Sequence, residues 1–123
     1  MRYAVSGEAI HCAYCHCVDC RRATGAPVAA FAGYRDADLT LEGDEPTAYS
    51  AVAGIERLFC STCGSPIGYR DARLAGETYL LAGAFDDPSP LAPERHAYAG
   101  SRVAWFDTRD DLPRHEATSR QRP

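Results

Sequence analysis

The chain has 123 residues, 46% hydrophobic and 24% charged, which suits a single soluble domain with a modest core. Its formal net charge is −4 and all thirteen basic residues are arginine, which excludes a sequence-independent nucleic-acid binder, since those carry a concentrated basic footprint. No apolar run reaches the length of a membrane span and no export signal opens the chain, so the expected location is the cytoplasm, where thiols stay reduced.

Residues 1–10 read as a strand that begins almost at once: Tyr3 and Val5 alternate with Arg2 and Ala4 before a Ser6-Gly7 turn signal. Residues 10–14 form a second short strand that delivers the chain into a cysteine cluster. Residues 18–24, closed by Gly25, suit one or two helical turns. After Pro27 an apolar strand runs to Gly33, which is expected to end it. Residues 36–38 turn and residues 39–41 alternate as a strand. Residues 43–46 break the chain, and residues 51–54 are small and turn-like.

Residues 56–59 lead into Cys60-Ser-Thr-Cys63-Gly64, which reads as a zinc knuckle at a hairpin tip. Further strands are expected at 66–69 and 78–82, separated by a loop. Pro88, Pro90 and Pro93 force a surface segment in which Asp86 and Asp87 make a turn. Residues 96–98 and 103–106 are the last strand candidates, with Trp105 and Phe106 expected in the core. Residues 1–114 are thus read as one mostly β domain with one short helix and a metal as staple, and residues 115–123 as a polar, disordered tail.

All six cysteines fall in two clusters. Cys12, Cys15, Cys17 and Cys20 lie within nine residues, and Cys60 and Cys63 follow forty residues later. C-x-C and C-x-x-C spacings aim sulfurs at one ion, and zinc accepts thiolates in a tetrahedron. If Cys15, Cys17 and Cys20 supply three ligands, the fourth position is open to a small-molecule thiol, which zinc deprotonates. If Cys12 closes the tetrahedron, the site is sealed. Cys60 and Cys63 need further ligands, from Cys12, a histidine or a carboxylate, unless one zinc is shared by both clusters.

Arg21 and Arg22 stand beside the first cluster, either as forks for substrate carboxylates or as solvated helix arginines. His16 lies between two candidate ligands and is expected to point away from the metal, with a proton-shuttle role left open. His96 reads as a satisfied structural histidine.

Several blocks carry a family resemblance. They are Cys15-His16-Cys17-Val-Asp-Cys20-Arg21-Arg22-Ala-Thr-Gly25, Arg57-Leu-Phe-Cys60-Ser-Thr-Cys63-Gly64-Ser65-Pro66, Gly83-Ala-Phe-Asp86-Asp87-Pro88, Pro93-Glu-Arg-His96, and the stretch from Trp105 to Pro113. In this order they resemble the glutathione-dependent formaldehyde-activating family over residues 1–114. The resemblance implies a zinc-stapled β-tent of short twisted antiparallel sheets. It also implies carbon–sulfur lyase chemistry, the reversible addition of glutathione to formaldehyde to give S-hydroxymethylglutathione. In family terms Cys15, Cys17 and Cys20 match the catalytic zinc ligands, and Cys60 and Cys63 match half of a structural zinc site.

The family's other structural pair, a C-x-C-G motif just before the first strand, is absent here. Either the chain lacks its native beginning, or Cys12 or His11 takes over ligation with Cys60 and Cys63. The expected partner is glutathione or a related thiol, with no nucleic acid and no membrane; a homodimer is left open. Two other readings remain: a non-catalytic zinc-stabilised binding module with a closed four-cysteine site, and a redox-active dithiol protein.

Overall fold

Short alternating segments punctuated by glycine make hairpins, and the computed structural model, which describes residues 1–120, is built from them. The strands are β1 Arg2–Val5, β2 His11–Cys15, β3 Ala29–Arg35, β4 Leu39–Glu42, β5 Thr47–Val52, β6 Ile55–Phe59, β7 Pro66–Asp71, β8 Glu77–Leu81 and β9 His96–Ala97. One α-helix, α1 Val18–Thr24, follows β2. The fold is mostly β, as expected, in two sheets.

A seven-stranded sheet runs in the order β5-β6-β7-β8-β3-β2-β9, and β1 pairs with β4 as a separate antiparallel ribbon. The ladders between these strands are antiparallel except at one edge. β9 joins β2 in parallel, pairing His96 with Tyr14 and Ala97 with Cys15, because a long connection after β8 carries the chain across to the far edge.

Strand alternation gives the large sheet two apolar faces. On one, Cys12, Ala32, Tyr34, Leu58, Ile67 and Leu80 form a core roofed by Met1, Tyr3, Val5 and Leu39 of the ribbon region. On the other, Cys15, Ala29, Phe31, Tyr79 and Ala97 pack with Cys20 of α1 and with Tyr69. Each large aliphatic or aromatic side chain buried this way contributes roughly 1.5–3 kcal/mol.

Gly33 does not end β3; it lies in mid-strand, opposite Tyr79 on β8. A Cβ there would stand 2.7 Å from the Tyr79 ring, so the missing side chain is the space that the ring fills. Likewise residues 51 and 52, read as turn-like, continue β5 past a bulge, and the turn falls at Gly54 with φ 81°.

Two expectations at the C-terminal end are overturned. Residues 103–106 form no strand, and Trp105 is 77% exposed rather than in the core. The place beside β9 where such a strand would pair is taken by Arg114, bridged in parallel to His96. Nor do residues 115–120 fray. The His115 amide donates to the His96 carbonyl at 2.9 Å, the Tyr98 amide to the Ala117 carbonyl at 2.9 Å, and Arg120 reaches Glu77 at 2.8 Å. The backbone groups along β9's outer edge need partners, and this segment supplies them. The rest of the expected tail, residues 121–123, lies outside the described residues.

Candidate metal centre

Strand β2 ends at Cys15 and the chain turns directly into α1, whose N-cap is Cys17. The Cys17 sulfur accepts the Cys20 amide hydrogen at 3.2 Å, the role an oxygen fills in most N-caps. Cys17 and Cys20 are three apart and so share one side of the first turn. Gly25 stops the helix in the left-handed region, at φ 68°, and its amide closes on the Arg21 carbonyl at 2.9 Å.

These local devices bring the sulfurs of Cys15, Cys17 and Cys20 within 4.8 Å of one another. Tetrahedral zinc with sulfur at about 2.3 Å sets its ligands ~3.8 Å apart, so this donor set fits such an ion. Cys15 and Cys20 are buried and Cys17 is partly exposed, which leaves the solvent-facing side of the cluster at Cys17.

The three thiols polarise one another. Hydrogen bonds from the Cys15 and Cys20 thiols, joined by the Cys20 amide, hold Cys17 far below the usual thiol range. Donating to Cys17 and Cys20, with burial added, pushes Cys15 up. The cluster thus already favours one thiolate, and a cation would draw off the remaining protons.

Cys12 does not join it. Three positions before Cys15 on the same strand, it faces the opposite core with Ala32 and Leu58. Cys60 also packs against that opposite core, so the two cysteine clusters do not converge on one ion. Cys60 and Cys63 lie in a tight turn: the Gly64 amide donates to the Cys60 carbonyl at 2.8 Å, and the Cys63 thiol reaches Ser65 Oγ at 3.1 Å. Among the described residues neither Cys12, His11 nor any carboxylate completes a three-ligand group with this pair.

His16 faces away from the sulfurs, as expected, and is fully buried together with His96. Its Nε2 lies 2.8 Å from His96 Nδ1, and His96 Nε2 lies 3.1 Å from the Asp110 carboxylate. Since a carboxylate only accepts, His96 carries its proton on Nε2 and takes a hydrogen bond from His16 Nε2–H on the other nitrogen. Burial first, then His96 and Arg114 nearby, lower the His16 pKa, which keeps the His16 ring neutral. Together with the His16 amide, which donates to the Ala97 carbonyl at 3.0 Å, this chain fastens the ligand loop to β9 and to residues 108–112.

Arg21 and Arg22 sit in the last turn of α1, but the guanidinium at the sulfurs belongs to Arg57 on β6. Both its terminal nitrogens lie 3.6 Å from Cys20 Sγ. Sequence reasoning singled out neither Arg57 nor Asp110. The available signal for Arg57 was a strand arginine three positions before a C-x-x-C.

The fold and cluster together define a small mostly β protein with a three-cysteine site able to hold a metal ion. A sequence profile described as glutathione-dependent formaldehyde-activating enzyme matches residues 1–101, and the chain belongs to that family. A search of curated proteins gave no match. No helix among the described residues is long and apolar enough to cross a membrane.

Proposed function

We propose that this protein is a zinc-dependent carbon–sulfur lyase that adds glutathione, or a related thiol, to formaldehyde. The supporting observation is the convergence of three cysteine sulfurs with one partly exposed edge, in a chain of this family. Cys15, Cys17 and Cys20 would hold the zinc, and Cys60 and Cys63 would contribute to a second, structural site. Bound zinc supplies Lewis acidity and keeps a coordinating thiol deprotonated.

In the reaction the thiol sulfur attacks the aldehyde carbon. A C–S bond forms, the C=O π bond breaks, and the thiol proton finishes on the new hydroxyl; cleavage is the reverse. The helix that carries Cys20 also carries Arg21 and Arg22, whose planar forks suit the carboxylates of a tripeptide thiol. The buried His16–His96–Asp110 chain keeps the ligand loop in register while substrates exchange. Six free thiols suit the reducing cytoplasm.

The test is exchange spectroscopy on zinc-loaded protein with glutathione and formaldehyde. Interconversion of the adduct well above the protein-free rate is expected. A rate equal to that control would remove the catalytic claim, and retained glutathione binding would then make the protein a binding module.

A further inference from the structure

The proposed chemistry leaves one contact of the cluster unused. Arg57 approaches from β6, a strand with no part in the ligand loop, and aims both terminal nitrogens at a single atom, Cys20 Sγ, at 3.6 Å. A guanidinium that recognises a carboxylate spreads its N–H groups over two oxygens. Here they converge on one sulfur.

The approach is rigid. The Arg57 guanidinium carbon lies 5.3 Å from the centre of the Tyr69 ring, within cation–π range. Tyr69 stacks on Tyr79 at 5.2 Å and meets the Phe31 ring edge-on at 5.0 Å. Tyr79 is pinned in turn by its hydroxyl, which donates to Glu77 at 2.7 Å and accepts from Arg120 at 3.0 Å.

A centre of three cysteine thiolates around a divalent cation carries one net negative charge, and a substrate thiolate adds another. All the sulfurs compete for an electrophilic aldehyde. Cys15 and Cys20 are both buried, and Cys17 accepts the Cys20 amide hydrogen. With every thiol deprotonated, the thiol-to-thiol hydrogen bonds vanish and Arg57 is the side-chain donor left at Cys20. An N–H aimed at a thiolate draws charge from the sulfur and lowers its nucleophilicity.

We propose that Arg57 is a positioning residue that keeps Cys20 a spectator thiolate, so that the aldehyde reacts at the substrate's sulfur and not at the protein's. This rests on the three-cysteine metal centre of the function proposed above.

The test compares wild type, Arg57→Met and Arg57→Lys, each loaded with zinc and counted by native mass spectrometry. Methionine keeps an apolar stem over Tyr69 and removes the fork; lysine restores charge without two converging donors. Each protein is pulsed with iodoacetamide, an uncharged electrophile, and the modified cysteine is mapped by peptide mass spectrometry. In R57M, Cys20 is expected to be alkylated about tenfold faster or more, with faster zinc loss to a chelator. R57K should fall between, and the melting temperature of the metal-free proteins should shift little. Wild-type alkylation of Cys20 in zinc-loaded R57M would overturn the proposal, because a packing role alone predicts that result. If R57M does not fold, the R57K comparison decides by the same readout. Absence of zinc from the wild-type protein would instead bring down the metal reading beneath it.

Discussion

The two C-x-x-C turns of this protein are alike in sequence and unlike in surroundings. The first caps α1, is buried against Phe31 and Tyr79, gains a third sulfur from β2, and is braced by Arg57 and by the His16–His96–Asp110 chain. The second, at Cys60 and Cys63, is a turn with Cys63 exposed and Ser65 as neighbour. A C-x-x-C is therefore only half a metal site. In the first turn the third sulfur comes from Cys15, two residues away at the end of β2, and the groups that brace the sulfurs come from distant strands that the motif does not specify.

The largest break in that comparison should come from Cys20→Ser against Cys63→Ser. Removing a buried sulfur from the three-ligand set should weaken zinc retention by about 100-fold or more, whereas C63S should leave the first centre's zinc in place. Native mass spectrometry with chelator competition reads both. Equal losses would mean that the two turns depend on one ion.

Gly68→Ala probes the sheet on which both turns are mounted. Gly68 faces Leu80 across the β7–β8 ladder, and a Cβ there would collide with the Tyr79 backbone carbonyl. We expect a loss of roughly 3 kcal/mol or more, as for other strained or overpacked positions, seen as a lower denaturant midpoint with zinc binding impaired. A variant that unfolds only around residues 60–65 would show the two regions to be separately stable.

A smaller effect isolates the anchor of the first turn. The Asp110 carboxyl is held down at about 2 by the Thr108 hydrogen bond first, then by the Leu112 amide and His96, against partial burial. Its folded pKa lies below the ordinary value of 3.8, so its stabilisation is present above about pH 4 and drains away as pH falls toward 2. Asp110→Asn should flatten that limb of the acid-unfolding curve. An unchanged curve would show that the His96–Asp110 contact carries no stability.

Smallest should be the response to Ser65→Ala. Ser65 takes the Cys63 hydrogen bond at an exposed turn, so melting should change by less than about 0.5 kcal/mol. A larger loss would give the second turn a structural weight that its surroundings do not suggest.

Much of this molecule follows from interactions within a few residues. The C-x-C and C-x-x-C spacings, the αL stop at Gly25, the short alternating strands and the family resemblance are of this kind, and they led to the mostly β fold and to Cys15, Cys17 and Cys20. The placement of Cys12 was also within reach, because three steps along a strand invert the face, but only once β2 is known to extend to Cys15. What the tertiary structure alone decided depends on which strands become neighbours. The β6 strand has to lie in the same sheet for Arg57 to meet Cys20, β9 has to cross to the far edge for His96 to meet His16, and Arg114 has to occupy that edge before residues 103–106 are left as an exposed loop. Such contacts span 37 and 80 residues of chain, and no local pattern encodes a pairing whose energy exists only after the sheet has closed.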